Sequence, residues 1–212
     1  MNRYSYNPPG LIKELFNDFI WETKNNKILL TFDDGPASES TEIILKFLNE
    51  QKIKSAFFCV GENCQQNPEL VSSIINENHL IANHTFHHKK INKLNGNERN
   101  LEIDSFNKLM LKKYNYEVKY FRPPHGKFNL STSKLLKEKK LKNVMWSLLT
   151  YDYKNDIKLV KFAVQKYLRQ NSIIVLHDNI KSKNIIIDSI KIVLEEATKN
   201  GLHIGEPAEC LK

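Results

Sequence analysis

The sequence predicts an α/β fold with a parallel sheet, on three observations. Short apolar runs of strand length alternate with segments of helical period along the whole chain. The unusual acids, histidines and arginine fall together at the C-terminal ends of successive runs. With 212 residues, 41% of them hydrophobic and 10% aromatic, there is apolar material for one core of ordinary domain size.

Seven strands are predicted, at residues 28–32, 55–60, 79–82, 119–122, 143–146, 172–176 and 202–204. The helices between them carry apolar residues at three- and four-residue steps, as in Ile43, Ile44, Phe47 and Leu48, or Val160, Ala163, Val164 and Tyr167. Asn67, Ser131 and Asp156 are read as N-caps, with Pro68 at a first helical position. The last helix, around Ile185, Ile190 and Val193, is expected to pack on the sheet. Residues 1–26 read as an N-terminal extension packed on the rest of the fold, and 27–212 as the domain itself.

Bulk properties exclude several classes. The net charge of +8 comes from lysines scattered along the chain, which fits a solvated surface better than a nucleic-acid partner. No apolar run is long enough for a membrane span. The first 25 residues lack a secretory pattern, so the expected place is the cytoplasm, with action at the cell envelope left open. Cys59, Cys64 and Cys210 are expected as free thiols.

Five segments carry chemistry. In Thr31-Phe32-Asp33-Asp34-Gly35-Pro36, two adjacent carboxylates at a strand mouth point in different directions, so one can bind a metal while the other takes a proton. On this hexapeptide alone, a polar turn is the competing interpretation. His84 and His88, four apart, meet on one face if their segment makes a helical turn, which suits one divalent ion. His87 then points away. Arg122-Pro123-Pro124-His125-Gly126 is a stiff stretch whose His125 backbone amide can face a reacting carbonyl, while Arg122 pairs with a carboxylate. His177 ends an apolar strand as a candidate general acid, and Asp152 is the carboxylate placed to orient it.

These motifs, in this order over residues 28–177, resemble the polysaccharide deacetylases, the NodB homology domain of carbohydrate esterase family 4. The resemblance implies a distorted (β/α)7 barrel of the glycoside hydrolase/deacetylase type. It implies one divalent ion, zinc foremost with cobalt, nickel or manganese as alternatives, held by Asp34, His84 and His88. It further implies Asp33 as general base steadied by Arg122, the His125 amide as oxyanion donor, and His177 as acid oriented by Asp152. The function implied is N-deacetylation of an acetylated glycan or amino sugar that contains N-acetylglucosamine, by a monomer.

Four positions depart from the family pattern. His125 stands for the usual Tyr, Leu149 for an Asp, Tyr153 for a Trp, and Val175 for a Leu. With Pro124, Tyr153 and Val175 are assigned to the substrate groove, so these changes bear on the substrate more than on the chemistry. Two other functions remain in view: a carbohydrate-binding protein of the same fold with weakened catalysis, and a hydrolase of an acetyl ester or cyclic amide.

Overall fold

The computed structural model describes residues 5–212. Strands β1 (Leu29–Asp33), β2 (Ala56–Cys59), β3 (Leu80–Asn83), β4 (Tyr120–Phe121), β5 (Lys142–Asn143), β6 (Leu148–Leu149) and β7 (Ile173–His177) form one parallel sheet in the order β5-β4-β3-β2-β1-β7-β6. Among the described residues the helices are α1 (Gly10–Leu15), α2 (Ser38–Glu50), α3 (Gly61–Gln66), α4 (Pro68–Asn76), α5 (Gly96–Tyr114), α6 (Leu130–Glu138), α7 (Ile157–Tyr167), α8 (Ile186–Lys199) and α9 (Pro207–Cys210). The alternation of strand and helix gives the curled sheet of a distorted (β/α)7 barrel.

Seven strands were expected, but not these seven. Residues 202–204 form no strand; Ile204 makes a single parallel bridge to Ile28. Leu202 and Ile204 are apolar because they pack against the main core, not because they sit in a ladder. The missing member is β6, which pairs with β7 through Leu148 and Leu149. Two residues carry no legible period, so this strand was invisible in the sequence.

The sheet does not close on itself, because β5 and β6 are its two edges. A strip of the N-terminal segment bridges toward the gap. Ile20 pairs in parallel with Val144 just past β5, and Glu22 pairs in antiparallel fashion with Ser172 just before β7. The Thr23 amide adds a bond to the Asn171 carbonyl at 2.9 Å. Otherwise unpaired edge groups are thereby satisfied.

Side-chain alternation divides each strand between two cores. Leu30, Phe32, Phe57, Ile81, Ile174 and Leu176 face outward into the layer covered by α2, α4, α5, α7 and α8. Leu29, Ala56, Phe58, Ala82, Val144 and Ile173 face inward, where Cys210 and Leu211 join them. All three cysteines are free and buried. Helix α7 starts as expected, with Asp156 accepting from the Lys158 amide at 2.9 Å. Two other caps differ. Asn129, not Ser131, caps α6 by accepting from the Thr132 amide, and Ser131 donates to that same Asn129 oxygen. Asn67 precedes Pro68 at the start of α4, but its side chain donates to the carbonyls of Pro36 and Asn63.

Truncation should separate the two kinds of apolar residue. Ile174→Ala, at a fully buried site, should cost about 2–5 kcal/mol. Leu101→Ala, at a position 65% exposed, should change stability by no more than about 0.5 kcal/mol. Urea unfolding midpoints measure both.

Candidate active site

The inward-facing residues of each strand continue in register past the apolar core. Leu29 and Thr31 lead to Asp33, Ala82 leads to His84, Tyr120 leads to Arg122, and Ile173 and Val175 lead to His177. Alternation therefore delivers an acid, two histidines and an arginine to the same end of the barrel.

Arg122 is fully buried and organises this end. Its Nη1 donates to Asp33 Oδ1 at 2.6 Å and to Thr31 Oγ1 at 2.8 Å. Its Nε and Nη2 donate to the carbonyls of Val144 and Met145, each at 2.9 Å. The guanidinium lies 3.9 Å from the centre of the Phe58 ring. One oxygen of Asp33 is thus fixed, while the other, Oδ2, lies 3.9 Å from His84 Nε2. Thr31 completes the set by donating to the Ile174 carbonyl.

Asp34 takes a left-handed backbone conformation, φ 77°, and its side chain parts from that of Asp33. Its Oδ1 lies 3.0 Å from His88 Nε2 and 3.6 Å from His84 Nε2. The helical turn expected between the two histidines is absent. The segment is an irregular loop in which Thr85 (φ 67°) and His88 (φ 55°) adopt left-handed conformations. That reversal brings the rings to 5.1 Å between centres. His87 turns away and is held by Glu102, whose carboxylate also accepts from the amides of Phe86 and His87.

Asp34, His84 and His88 fit a divalent cation. Donors about 2.0–2.2 Å from one ion sit roughly 3–3.5 Å apart, close to the two separations found here. His84 Nδ1 faces the Arg122 carbonyl at 2.7 Å, so that nitrogen carries the proton and Nε2 offers its lone pair. Burial lowers the His84 pKa to about 4, which keeps the ring neutral, as a ligand must be. Burial alone would raise the pKa of Asp34, but its hydrogen bond with His88 and the nearby imidazoles hold it well below the usual carboxylate range.

His177 stands against the fully buried Asp152. Asp152 Oδ1 meets His177 Nδ1 at 2.8 Å, and Oδ2 accepts from the His177 backbone amide at 2.7 Å. Burial disfavours the charged imidazole, yet the Asp152 charge and hydrogen bond outweigh it and raise the His177 pKa to about 9. The Tyr153 ring packs edge-on against His177 at 4.6 Å.

Asp33, Asp34, His84, His88, His125, Tyr153, Val175 and His177 all border one cavity of about 710 Å³. Leu149 borders it as well. Pro124, assigned to the groove from sequence, does not; it is buried at the start of the turn that carries His125. Arg122 and Asp152 sit behind the cavity wall and act through the residues they hold. His125 is left-handed (φ 58°) with its ring 4.8 Å from that of His88.

Three contributors escaped sequence reasoning. Asn179 Nδ2 donates to Asp34 Oδ2 at 2.7 Å, leaving Oδ1 for the cluster; its place two residues after His177 was the available signal. Thr150 donates to Asp152 Oδ1. Asp178, fully buried, accepts from Ser40 and Thr41, and its amide bonds the Asp33 carbonyl. A side chain at Gly35 would collide with the Asp178 carboxylate.

The model of the polysaccharide deacetylase family matches residues 21–144. This chain belongs to that family. A peptidoglycan-N-acetylglucosamine deacetylase of Bacillus cereus is 32% identical over 198 residues, covering 91% of this chain and 92% of that protein. A second Bacillus cereus protein of that name is 33% identical over 153 residues, covering 72% of this chain and 56% of that one. Among solved structures, a peptidoglycan N-acetylglucosamine deacetylase in complex with 4-naphthalen-1-yl-N-oxidanyl-benzamide has a TM-score of 0.87 at 27% identity, with 96% of both chains covered. The family match ends before Asp152 and His177, which their geometry brings to the same cavity end.

Two measurements check the site. Asp34→Ala should abolish retention of a divalent ion, seen as loss of bound metal by elemental analysis. In metal-free protein, the His177 ring should titrate by NMR near pH 9, and Asp152→Asn should bring it down toward the ordinary 6.5. The sign follows from the raised folded-state value. The pair stabilises the fold fully below about pH 6.5 and loses that contribution as pH rises through 9.

Proposed function

We propose that this chain is a metal-dependent N-deacetylase that hydrolyses the acetamido group of an N-acetylglucosamine-containing glycan or related acetylated amino sugar. One observation carries the proposal. A carboxylate with one oxygen fixed and one free, a three-residue cation cluster, and a histidine of raised pKa all face the same cavity. The names of the relatives agree with it. Zinc is the proposed ion, given two imidazoles and one carboxylate as donors, with cobalt, nickel and manganese as alternatives. The protein is proposed to act as a monomer.

A divalent ion held by Asp34, His84 and His88 supplies polarisation of the acetyl carbonyl and acidity to the attacking water. Asp33 Oδ2 accepts the proton that this water loses as its oxygen bonds to the carbonyl carbon. Arg122 faces Asp33 with its counter-charge and prevents its side chain from swinging away. The backbone amide of His125 is the proposed donor to the oxyanion. His177, whose pKa Asp152 raises, gives its proton to the departing sugar nitrogen as the carbon–nitrogen bond breaks, yielding acetate and a free amine. Tyr153, Val175 and Leu149 border the space beside His177 and are placed to meet the acetyl group and its neighbours.

Acetate release from acetylated chitin oligomers and peptidoglycan fragments, with zinc supplied, tests the proposal. Asp33→Asn and His177→Gln should each lower kcat by about 10²–10⁴-fold, with KM changed far less for His177→Gln because its proton is needed only as the bond breaks. Chelation should stop turnover, and added zinc or cobalt should restore it. Protein replete with metal but inert across the whole panel would sink this function.

A further inference from the structure

Asp34 offers two oxygens, and they face different neighbours. Oδ1 is directed at the imidazole nitrogens of His88 and His84, while Oδ2 accepts from Asn179 Nδ2 at 2.7 Å. Asn179 follows β7 and borders the cavity, beyond the stretch matched by the family model. A carboxylate can grip a cation through one oxygen or through both. The second mode takes up a position that a catalytic ion must leave to water and substrate.

The Asn179 side chain is locked independently of Asp34. Its Oδ1 accepts from the backbone amides of Lys181 and Ser182, at 2.9 and 3.1 Å, so the end turned to Asp34 is the NH2 donor. Ser182 is fully buried, and its hydroxyl donates to the His177 carbonyl. The loop is thereby tied to the strand end that carries the proposed acid. On the other side, Asn63 Nδ2 donates to the Asp34 carbonyl at 2.7 Å, which fixes the main chain beneath the carboxylate.

Asparagine meets both demands of this position, because it combines an acceptor for the turn with a donor for the carboxylate. Serine can cap such a turn but is too short to reach Asp34, and leucine can do neither. The donor is also uncharged. Arg122 ties Asp33 with a full counter-charge, whereas a neutral amide at Asp34 leaves its negative charge for the cation. Each of the two adjacent acids is thus held by one oxygen, by a guanidinium at Asp33 and by an amide at Asp34, in keeping with their different roles.

We propose that Asn179 is a positioning residue. By holding Oδ2, it presents Asp34 to the cation through Oδ1 alone and keeps a coordination position open for the attacking water or the acetyl carbonyl. This assignment rests on the metal-dependent N-deacetylase function above, but its test reads the ion as well as turnover.

The experiment loads the parent chain, Asn179→Ser and Asn179→Leu with cobalt(II), counts bound ions by elemental analysis, records the visible absorption, and measures acetate release from chitotriose. Thermal melts confirm that both variants are folded. Cobalt(II) absorbs more weakly as its coordination number rises. Both variants should keep the ion, absorb more weakly than the parent, and lose about 10–100-fold in kcat. Asn179→Ser keeps an oxygen that can cap the turn, so the same change in both variants assigns the effect to the lost donor. Parent-like spectra in both variants, a spectral change in Asn179→Leu alone, or loss of the ion from both would overturn the one-oxygen restraint. A weakened spectrum in both variants, with no acetate released even by the parent, would uphold the restraint and reject the deacetylase function.

Discussion

Arg122 lies inside the barrel with no solvent exposure, and the rest of the site depends on how its charge is satisfied. A buried guanidinium needs both a counter-charge and hydrogen-bond acceptors; removing one partner of such a pair typically costs about 3–5 kcal/mol. Asp33 supplies the charge, while Thr31 and the carbonyls of Val144 and Met145 take the remaining donors. Stability and function are coupled by this arrangement. The bond that keeps Arg122 tolerable in the core also fixes one oxygen of Asp33 and leaves the other facing the cation cluster.

The regular part of the fold brings residues close, and the irregular part aims them. Strand alternation sends Asp33, His84, Arg122 and His177 to the inside of one barrel end. Asp34, Thr85, His88 and His125 then adopt left-handed conformations, which cost roughly 1–2 kcal/mol each for side chains other than glycine. Such strain collects where geometry serves a site and persists because surrounding bonds over-determine it. Asn63 donates to the Asp34 carbonyl, and Asn83 accepts from the Thr85 amide; both bonds hold these turns.

The N-terminal segment joins the failure of the sheet to close with the shape of the cavity. Because β5 and β6 do not pair, Ile20, Glu22 and Thr23 meet backbone groups that neighbouring strands leave free. Anchored there, the segment must run past the mouth of the barrel, and Ile12, Phe16 and Trp21 become part of its wall. A region with no catalytic motif thus forms part of the cavity wall.

Strand period and clustered acids and histidines are local signals, so the parallel α/β class, most strands, six polar residues that border the cavity, and Arg122 and Asp152 behind them were legible in the sequence. Asp34, His84 and His88 were legible as a cation cluster, though the helical turn invoked to join the histidines was wrong; a left-handed loop leaves no period. Only the tertiary structure decided that Leu148 and Leu149, not residues 202–204, complete the sheet, and that Asn129 rather than Ser131 caps its helix. It also decided the parts played by Asn179, Asp178 and Thr31, and the burial of Pro124. Each of these turns on contacts between residues distant in the chain, or on a choice among neighbouring side chains. Local patterning records which residues can be buried or bonded, and packing alone selects the partner.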